Sequence, residues 1–316
     1  MSSINRVITA PKHFRANSIL QFISDCSQIY QLAGKNEKGF LLDLGKVKEC
    51  TMIGVLLVYK IIEYSIKRDC FNSPMYYMGV PFRNAMDKYG FTNLIITYLA
   101  DKDVAEREFA NLKISVTDNF IIAPQALLRN DRYSSEILNT KYLPQIENYY
   151  SFKPKAVTMI FICFSEILLN SWEHAVDDTQ SIIVANGNKS NIEISCADNG
   201  QGIVTSLVNA GKTKKDGTST FVSAVEKFVT SKEMSNHMGY GLWIIDEIVK
   251  QTDGRFHLYS EGFYYQREFG KVKSGKTGFW QGTIVYLSIP LRNPITLCDI
   301  EKPEEKSNFN LQINWS

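Results

Sequence analysis

The chain has 316 residues, of which 22% are charged and 44% apolar, and 35 Lys and Arg nearly balance 33 Asp and Glu, giving a net charge of +2. This composition is typical of a folded globular protein of about two domains and excludes a disordered or fibrous chain. A near-neutral chain without a long basic block gives no indication of a nucleic-acid partner. The longest strongly apolar run, residues 157–169, is shorter than the roughly 20 residues of a membrane span, so none is expected.

The N-terminal residues and the cysteines of the chain indicate the compartment. Residues 1–13 have no apolar core of the kind that a signal peptide needs. The six cysteines never form a C-x-x-C pair, so we expect reduced, mostly buried thiols and neither a disulfide framework nor a zinc site. These features predict a cytoplasmic protein.

The first hundred residues alternate short apolar strands with helical patterns. Strands are predicted at 39–44 and 75–80, and a helix is predicted at 54–68 with its charges on one side. A short helix at 82–89 ends at Gly90, a residue suited to a left-handed cap. Strands separated by helices imply an α/β architecture with a mainly parallel or mixed sheet.

The second half of the chain predicts another α/β domain. Residues 101–142 are less regular and are assigned to a connector, followed by a domain at 143–292 and a polar tail at 293–316. That domain begins with a strong helix at 155–175. The remaining elements are strands at 181–185 and 192–197 with a hairpin turn at 186–188, a helix at 241–251, and strands at 255–260 and 282–289.

Three short motifs occur in order within the second domain. Glu166 and Asn170 are four residues apart on the first helix and therefore project from the same face. The second strand ends in Asp198-Asn199-Gly200-Gln201-Gly202, whose glycines allow a sharp bend and a close approach to a ligand. Gly239-Tyr240-Gly241-Leu242 precedes a helix whose free N–H groups suit phosphate oxygens. Each motif alone is weak.

Together these motifs resemble the GHKL ATPase superfamily of gyrases, heat-shock chaperones, histidine kinases and mismatch-repair ATPases. Glu166 and Asn170 correspond to its N box, and Asp198, Gly200 and Gly202 to its first glycine box. Gly239, Gly241 and Leu242 match the latter part of the second glycine box, where His237 takes the first glycine position. Gly282-Thr283 matches the conserved Gly-Thr at the start of the last strand. The resemblance covers residues 143–291 and implies an α/β sandwich of the Bergerat type.

The resemblance implies ATP and Mg²⁺ as cofactors and a role for each matching residue. Asn170 offers an amide oxygen to the magnesium ion, and Glu166 orients or deprotonates the group that attacks the γ-phosphate. Asp198 accepts from the exocyclic amine of adenine, with Thr283 in support, which selects ATP over GTP. Residues 212–238 would form a lid that closes over the nucleotide.

Residues 1–100 resemble the STAS fold of anti-sigma-factor antagonists through Phe40-Leu-Leu-Asp43-Leu44, Gly54-Val-Leu-Leu57 and the 78–91 region. In that family a phosphorylatable serine precedes the helix, and Cys50 or Thr51 falls near its position. We favour the simpler hypothesis that Thr51 caps the helix. The STAS-like domain is the expected site for a protein partner.

Three functions follow from the two resemblances. The first is an ATP-binding regulatory protein that hydrolyses ATP slowly and uses lid closure to change its partners. The second is an anti-sigma-type serine/threonine kinase, because residues 170–175 resemble the N box of those kinases. A histidine kinase is disfavoured, since none of the four histidines lies on a dimerisation helix before the ATP domain. The third is a non-catalytic nucleotide-gated subunit of a larger assembly. A homodimer is left open.

Overall fold

The computed structural model describes residues 6–32, 39–68, 75–92, 94, 120–127, 136, 138–174, 181–231 and 241–300. These residues form a mixed α/β structure with an N-terminal unit and a larger C-terminal domain.

The N-terminal unit is built on a parallel three-stranded sheet. Strands β1 (Arg6–Thr9), β3 (Phe40–Leu44) and β5 (Met75–Met78) lie in that order and pair in parallel. The connections carry helices α1 (Ile19–Leu32) and α2 (Met52–Arg68), and helix α3 (Val80–Lys88) follows β5. A short parallel pair joins β2 (His13–Phe14) to β4 (Glu49–Cys50). Of the two predicted alternatives, a mainly parallel or a mixed sheet, the structure has the parallel one, whereas β1 and α1 were not predicted.

Helix α3 ends as its sequence indicates. The N–H of Gly90 donates to the carbonyl oxygen of Asp87 at 3.1 Å, and Gly90 has a φ of 79°. That backbone region is costly for residues with a Cβ and is open to glycine. The predicted left-handed cap is therefore confirmed.

The C-terminal domain is built on an antiparallel seven-stranded sheet, with the strand order β11-β10-β9-β12-β8-β7-β6. The strands are β6 (Phe120–Leu127), β7 (Ser181–Gly187), β8 (Asn191–Ala197), β9 (Arg255–Ser260), β10 (Phe263–Glu268), β11 (Lys271–Lys276) and β12 (Thr283–Pro290). Strand β6 lies in the segment assigned to a connector, so the sheet begins before the predicted boundary at 143. The β10–β11 hairpin was not predicted. The β7–β8 turn falls at 188–190, where Asn188 Oδ1 accepts from the N–H groups of Ser190 and Asn191.

One face of this sheet is covered by helices. The helices of the domain are α4 (Leu143–Tyr150), α5 (Pro154–His174), α6 (Ile203–Asn209), α7 (Gly217–Ser223), α8 (Gly241–Gln251) and α9 (Leu297–Ile300). Helices α5 and α8 pack on each other and on the sheet, and Phe164, Ile245 and Leu258 belong to their shared core. Residues 154–171 of α5 are long and apolar enough to cross a membrane by length and composition alone. About 39% of that segment is buried, and its buried residues, such as Met159, Ile160 and Phe164, belong to this core.

The opposite face of the sheet is covered by the N-terminal unit. One hydrophobic cluster joins residues of α1 and α2 to Val184, Tyr259, Ile284 and other side chains of the seven-stranded sheet. Every residue from 52 to 65 of α2 is buried, because the helix lies between the two sheets. The predicted placement of charges on one side of the helix does not make that side a solvent-facing one, since its first two charged residues are buried. Lys60 and Glu63 are fully buried and form an ion pair with each other.

Candidate nucleotide-binding site

A cavity that is partly open to solvent lies between helices α5 and α8 and the sheet. The cavity is lined by the predicted residues Glu166, Asn170, Asp198, Gly241, Leu242 and Thr283. Residues from four distant segments of the sequence therefore meet at one place. Gly239 and His237 lie outside the described residues.

Asp198 is 5% exposed and fixes the turn in which it lies. Its Oδ1 accepts from the N–H of Gly200 at 2.8 Å and from the N–H of Thr283 at 3.2 Å. The N–H of Asp198 donates in turn to the carbonyl oxygen of Thr283 at 3.0 Å. The end of β8 and the start of β12 are thus held together around one carboxylate that faces the cavity.

Position 202 favours glycine because of its backbone conformation and because of the nearby side chain of Glu261. Its φ is 88°, and a Cβ would lie 2.5 Å from the Cδ of Glu261. The Glu261 carboxylate accepts from the N–H of Thr205 at 3.0 Å. The hydroxyl of Ser260 accepts from the N–H of Ile203 at 2.9 Å. The end of β9 therefore satisfies the first free N–H groups of helix α6.

Glu166 and Asn170 lie beside the start of helix α8. A Cβ on Gly241 would lie 2.5 Å from Glu166 Oε2 and 3.3 Å from Asn170 Nδ2. Glycine at this position lets the N-terminus of α8 approach the two polar side chains. Helix N-termini carry partial positive charge and unpaired N–H groups, so anionic phosphate oxygens suit this end of the cavity.

The side chain of Asn170 suits a ligand that carries both a cation and phosphates. Its Nδ2 is buried and has no hydrogen-bond partner among the described residues. A buried amide of this kind is usually paired. The Asn170 amide offers an oxygen, the type of ligand that a magnesium ion prefers, and N–H groups that can donate to a phosphate oxygen. The residues present therefore fit a magnesium–nucleotide ligand.

The sequence motifs did not predict the apolar residues and the cysteine that also line the cavity. Cys196, Leu258 and Val285 line it, and the Sγ of Cys196 lies 3.1 Å from the hydroxyl of Ser171. Cys196 is two residues before Asp198, which directly follows β8, and Val285 is two residues after Thr283 on β12. Side chains alternate across a strand with period two, so this spacing could have identified them.

The predicted lid is described only as far as residue 231. Helix α7 lies within it, and its N-cap Asp216 accepts from the N–H of Ser219 at 2.8 Å, which lowers the pKa of that carboxyl. Phe221 is fully buried and stacks on Phe263 at 6.0 Å between ring centroids. Thr230 and Ser231 line the cavity. Residues 232–238 of the predicted lid lie outside the described residues.

The two candidate switch residues of the N-terminal unit occupy different environments. Cys50 is buried, and burial raises the pKa of its thiol well above the usual range. Thr51 immediately precedes α2, at the position of a cap, but its hydroxyl bonds outside that helix, so the capping hypothesis stays a prediction. Its hydroxyl donates to the carbonyl oxygen of Phe14 at 3.3 Å, so it links two segments of the unit.

The cysteines that the structure describes form no disulfide and are mostly buried, as expected. Cys26, Cys50, Cys163 and Cys196 are buried and Cys298 is exposed, and none of these forms a disulfide. Burial raises the pKa of Cys26 and of Cys163. Cys70 lies outside the described residues.

Comparison with known families agrees with the geometry of the C-terminal domain. Residues 157–293 match the family of histidine kinase-, DNA gyrase B-, and HSP90-like ATPases. The C-terminal domain is therefore a GHKL ATPase domain, and ATP is the ligand that this match supports. No curated protein matches the chain. The family match covers none of the N-terminal unit, whose resemblance to STAS domains stays a prediction.

Proposed function

We propose that the chain is an ATP-binding regulatory protein that hydrolyses ATP slowly with Mg²⁺ and uses closure of the 212–238 lid to control a protein partner. The observation that carries the proposal is the convergence of Glu166, Asn170 and Asp198 on one cavity. The adenine would bind at Asp198 and the phosphates at the start of α8. The N-terminal unit, proposed to be STAS-like, would contact the partner.

Each side chain has a chemical task in this proposal. The Asp198 carboxylate accepts from the adenine amine while its Oδ1 keeps the turn in place. Asn170 holds Mg²⁺, which neutralises charge on the phosphates when bound. Glu166 takes a proton from the attacking water as the water oxygen bonds to the γ-phosphorus. The bond between that phosphorus and the bridging oxygen breaks, and ADP leaves with the electron pair.

A second candidate is an anti-sigma-type serine/threonine kinase. The sequence Asn170-Ser-Trp-Glu173-His174-Ala175 favours it because it resembles the N box of those kinases. The same Glu166 would then accept the proton of a protein hydroxyl. A single-turnover assay with labelled ATP separates the two, since the label appears in free phosphate or on an added protein. Binding with no transfer in either case would favour a nucleotide-gated subunit.

Titration calorimetry tests the shared core of these candidates. ATP with Mg²⁺ should bind the full chain, and Asp198→Asn should weaken binding about ten- to a hundredfold, because a charge-assisted hydrogen bond contributes roughly 1.5–3 kcal/mol. Asp253→Asn, which changes an exposed carboxylate away from the cavity, is the control and should bind as wild type. Unchanged affinity in Asp198→Asn would remove Asp198 from the adenine site.

A further inference from the structure

The segment before the last strand, residues 278–282, lies against helix α1 of the N-terminal unit. A Cβ on Gly278 would lie 2.7 Å from the carbonyl oxygen of Ile23 and 2.8 Å from the nitrogen of Ser24. The next N–H, that of Phe279, donates to the hydroxyl of Ser27 at 2.9 Å. The segment therefore fits α1 closely and is bonded to it.

The other side of this segment holds the Asp198 turn. The indole N–H of Trp280 donates to the carbonyl oxygen of Asp198 at 3.1 Å. The side-chain amide of Gln281 donates to the carbonyl oxygen of Asn199 at 3.2 Å. Trp280 is fully buried, and its ring meets Tyr30 of α1 edge-on at 5.7 Å between centroids. One side chain thus contacts both the N-terminal unit and the backbone of the proposed adenine site.

Helix α2 contacts the same turn directly. The side-chain amide of Asn199 donates to the carbonyl oxygen of Lys60 at 3.1 Å. Asn199 is 8% exposed and Lys60 is fully buried, so water competes little for this hydrogen bond. Both long helices of the N-terminal unit are therefore bonded to segments that flank Asp198.

We propose that Trp280 is a positioning residue for Asp198, and that docking of the N-terminal unit and binding of adenine nucleotide stabilise each other through it. The inference rests on the proposed binding of ATP at Asp198 and adds its regulation. Coupling between two binding events is reciprocal. A protein partner that displaces α1 or α2 would lower the affinity for ATP, and bound ATP would lower the affinity for that partner by the same factor.

The test compares two aromatic substitutions in the full chain. Trp280→Phe keeps an aromatic ring against Tyr30 and removes the N–H that reaches Asp198. Tyr286→Phe is the matched control, because Tyr286 lies in the same cluster and its hydroxyl donates to Glu193 at 2.8 Å, away from the turn. Loss of one neutral hydrogen bond corresponds to roughly two- to tenfold in affinity. Trp280→Phe should weaken ATP by about this factor and lower the ratio of ATP to GTP affinity, whereas Tyr286→Phe should change neither.

A measurement without nucleotide separates this inference from the proposed function. The N–H groups of Gly200 and Thr283 both donate to Asp198, so their hydrogen exchange reports the order of the turn. Exchange should be faster in Trp280→Phe than in wild type or Tyr286→Phe. If wild type binds no ATP but this difference is present, the proposed function fails and the positioning role stands. Wild-type exchange and affinity in Trp280→Phe, or equal effects in Tyr286→Phe, would overturn the positioning role.

A third variant tests the link to the N-terminal unit and is informative if Trp280→Phe does not fold. Ser27→Ala removes the acceptor for the N–H of Phe279, and Ser27 itself does not line the cavity. It should weaken ATP in the same direction as Trp280→Phe and increase exchange at Gly200 and Thr283. Wild-type values of both quantities in a folded Ser27→Ala protein would overturn the coupling to helix α1.

Discussion

Gly282 leaves the space that Asp198 occupies. Gly282 has a φ of 85°, and a Cβ there would lie 2.6 Å from the nitrogen of Gly200 and closer still to Asp198 Oδ1. The neighbouring atoms are backbone and a carboxylate held by two N–H groups, so they cannot move aside without breaking the turn. The glycine before the last strand is thus a requirement of the proposed adenine site.

We therefore expect Gly282→Ala to destabilise the protein and to weaken ATP binding at least about tenfold, the equivalent of about 1.4 kcal/mol. Gly270→Ala is a matched control, since Gly270 has a φ of 77° and nothing within 4 Å of its added Cβ. Both variants bear the backbone strain of roughly 1–2 kcal/mol, and Gly282→Ala alone bears the clash. Thermal unfolding and calorimetry would measure the difference. Equal behaviour of the two variants would contradict the steric argument.

The elements that the sequence predicts well are those specified by local signals. The bounds predicted for β9 (Arg255–Ser260) and α8 (Gly241–Gln251) are those observed. In β9 the signal is a short run of aromatic and apolar residues. In α8 the signal is the helical spacing of the apolar residues after a glycine at the first position. The site residues on α8 and α5 could be placed in one cavity because their motifs fix both spacing and order.

The rest of the structure depends on contacts between distant segments. Strand β11, Lys-Val-Lys-Ser-Gly-Lys, has no buried side chain and forms by pairing with β10 at the sheet edge, where lysines also discourage further pairing. Lys60 and Glu63 resemble surface charges in sequence and are buried only because a second sheet covers α2. No local pattern places Trp280 against both Asp198 and Tyr30.

Asn170 offers a test of the metal assignment. Because its amide would supply an oxygen to Mg²⁺, Asn170→Ala should remove most of the gain in ATP affinity that Mg²⁺ gives to wild type, about tenfold for a contribution near 1.4 kcal/mol. Asn209→Ala, at an exposed position on α6, should keep the full gain. ATP titrations in Mg²⁺ and in excess chelator measure it. If wild type binds ATP equally well under both conditions, the metal role of Asn170 is wrong.

His257 predicts how stability changes with pH. The side chain is fully buried on the face of the sheet that meets the N-terminal unit. Burial lowers the pKa of His257 from 6.5 to about 4, with a smaller lowering by Arg255, although the Glu268 carboxylate at 2.9 Å raises it. His257 of the unfolded chain is therefore protonated below about pH 6.5, whereas His257 of the folded chain is protonated only below about pH 4. Stability should fall as the pH drops through this range.

The comparison of wild type with His257→Gln isolates this contribution. The variant should be the less stable protein at pH 7.5, because it loses the contacts of the ring with Glu268 and Tyr259. The difference in free energy of unfolding between the two proteins should shrink by about 2 kcal/mol at pH 5. Only wild type has a histidine that is neutral when folded and protonated when unfolded at that pH, which favours its unfolded state. Urea denaturation at the two pH values measures both free energies of unfolding. A difference that widens towards pH 5 would show a protonated His257–Glu268 pair instead.

The last prediction separates binding from chemistry at Glu166. If Glu166 takes the proton of the attacking water or hydroxyl, Glu166→Ala should bind ATP as wild type does and lose turnover by roughly a hundred- to ten-thousandfold. Glu247→Gln is the control, because Glu247 contacts Lys250 on α8 at 3.2 Å and does not line the cavity. It should turn over at the wild-type rate. Release of γ-phosphate under single-turnover conditions measures the rate of each protein.

Protection of the 212–238 lid from protease provides the paired measurement. Closure depends on the γ-phosphate and not on the base, so ATP should protect the lid better than ADP in wild type and in Glu166→Ala alike. Loss of both protection and turnover in the variant would make Glu166 structural, as its position beside Gly241 would allow. Full turnover in the variant would refute the base assignment. Protection without turnover in wild type, with or without an added partner, would favour the nucleotide-gated subunit, because closure would then be the only response to ATP.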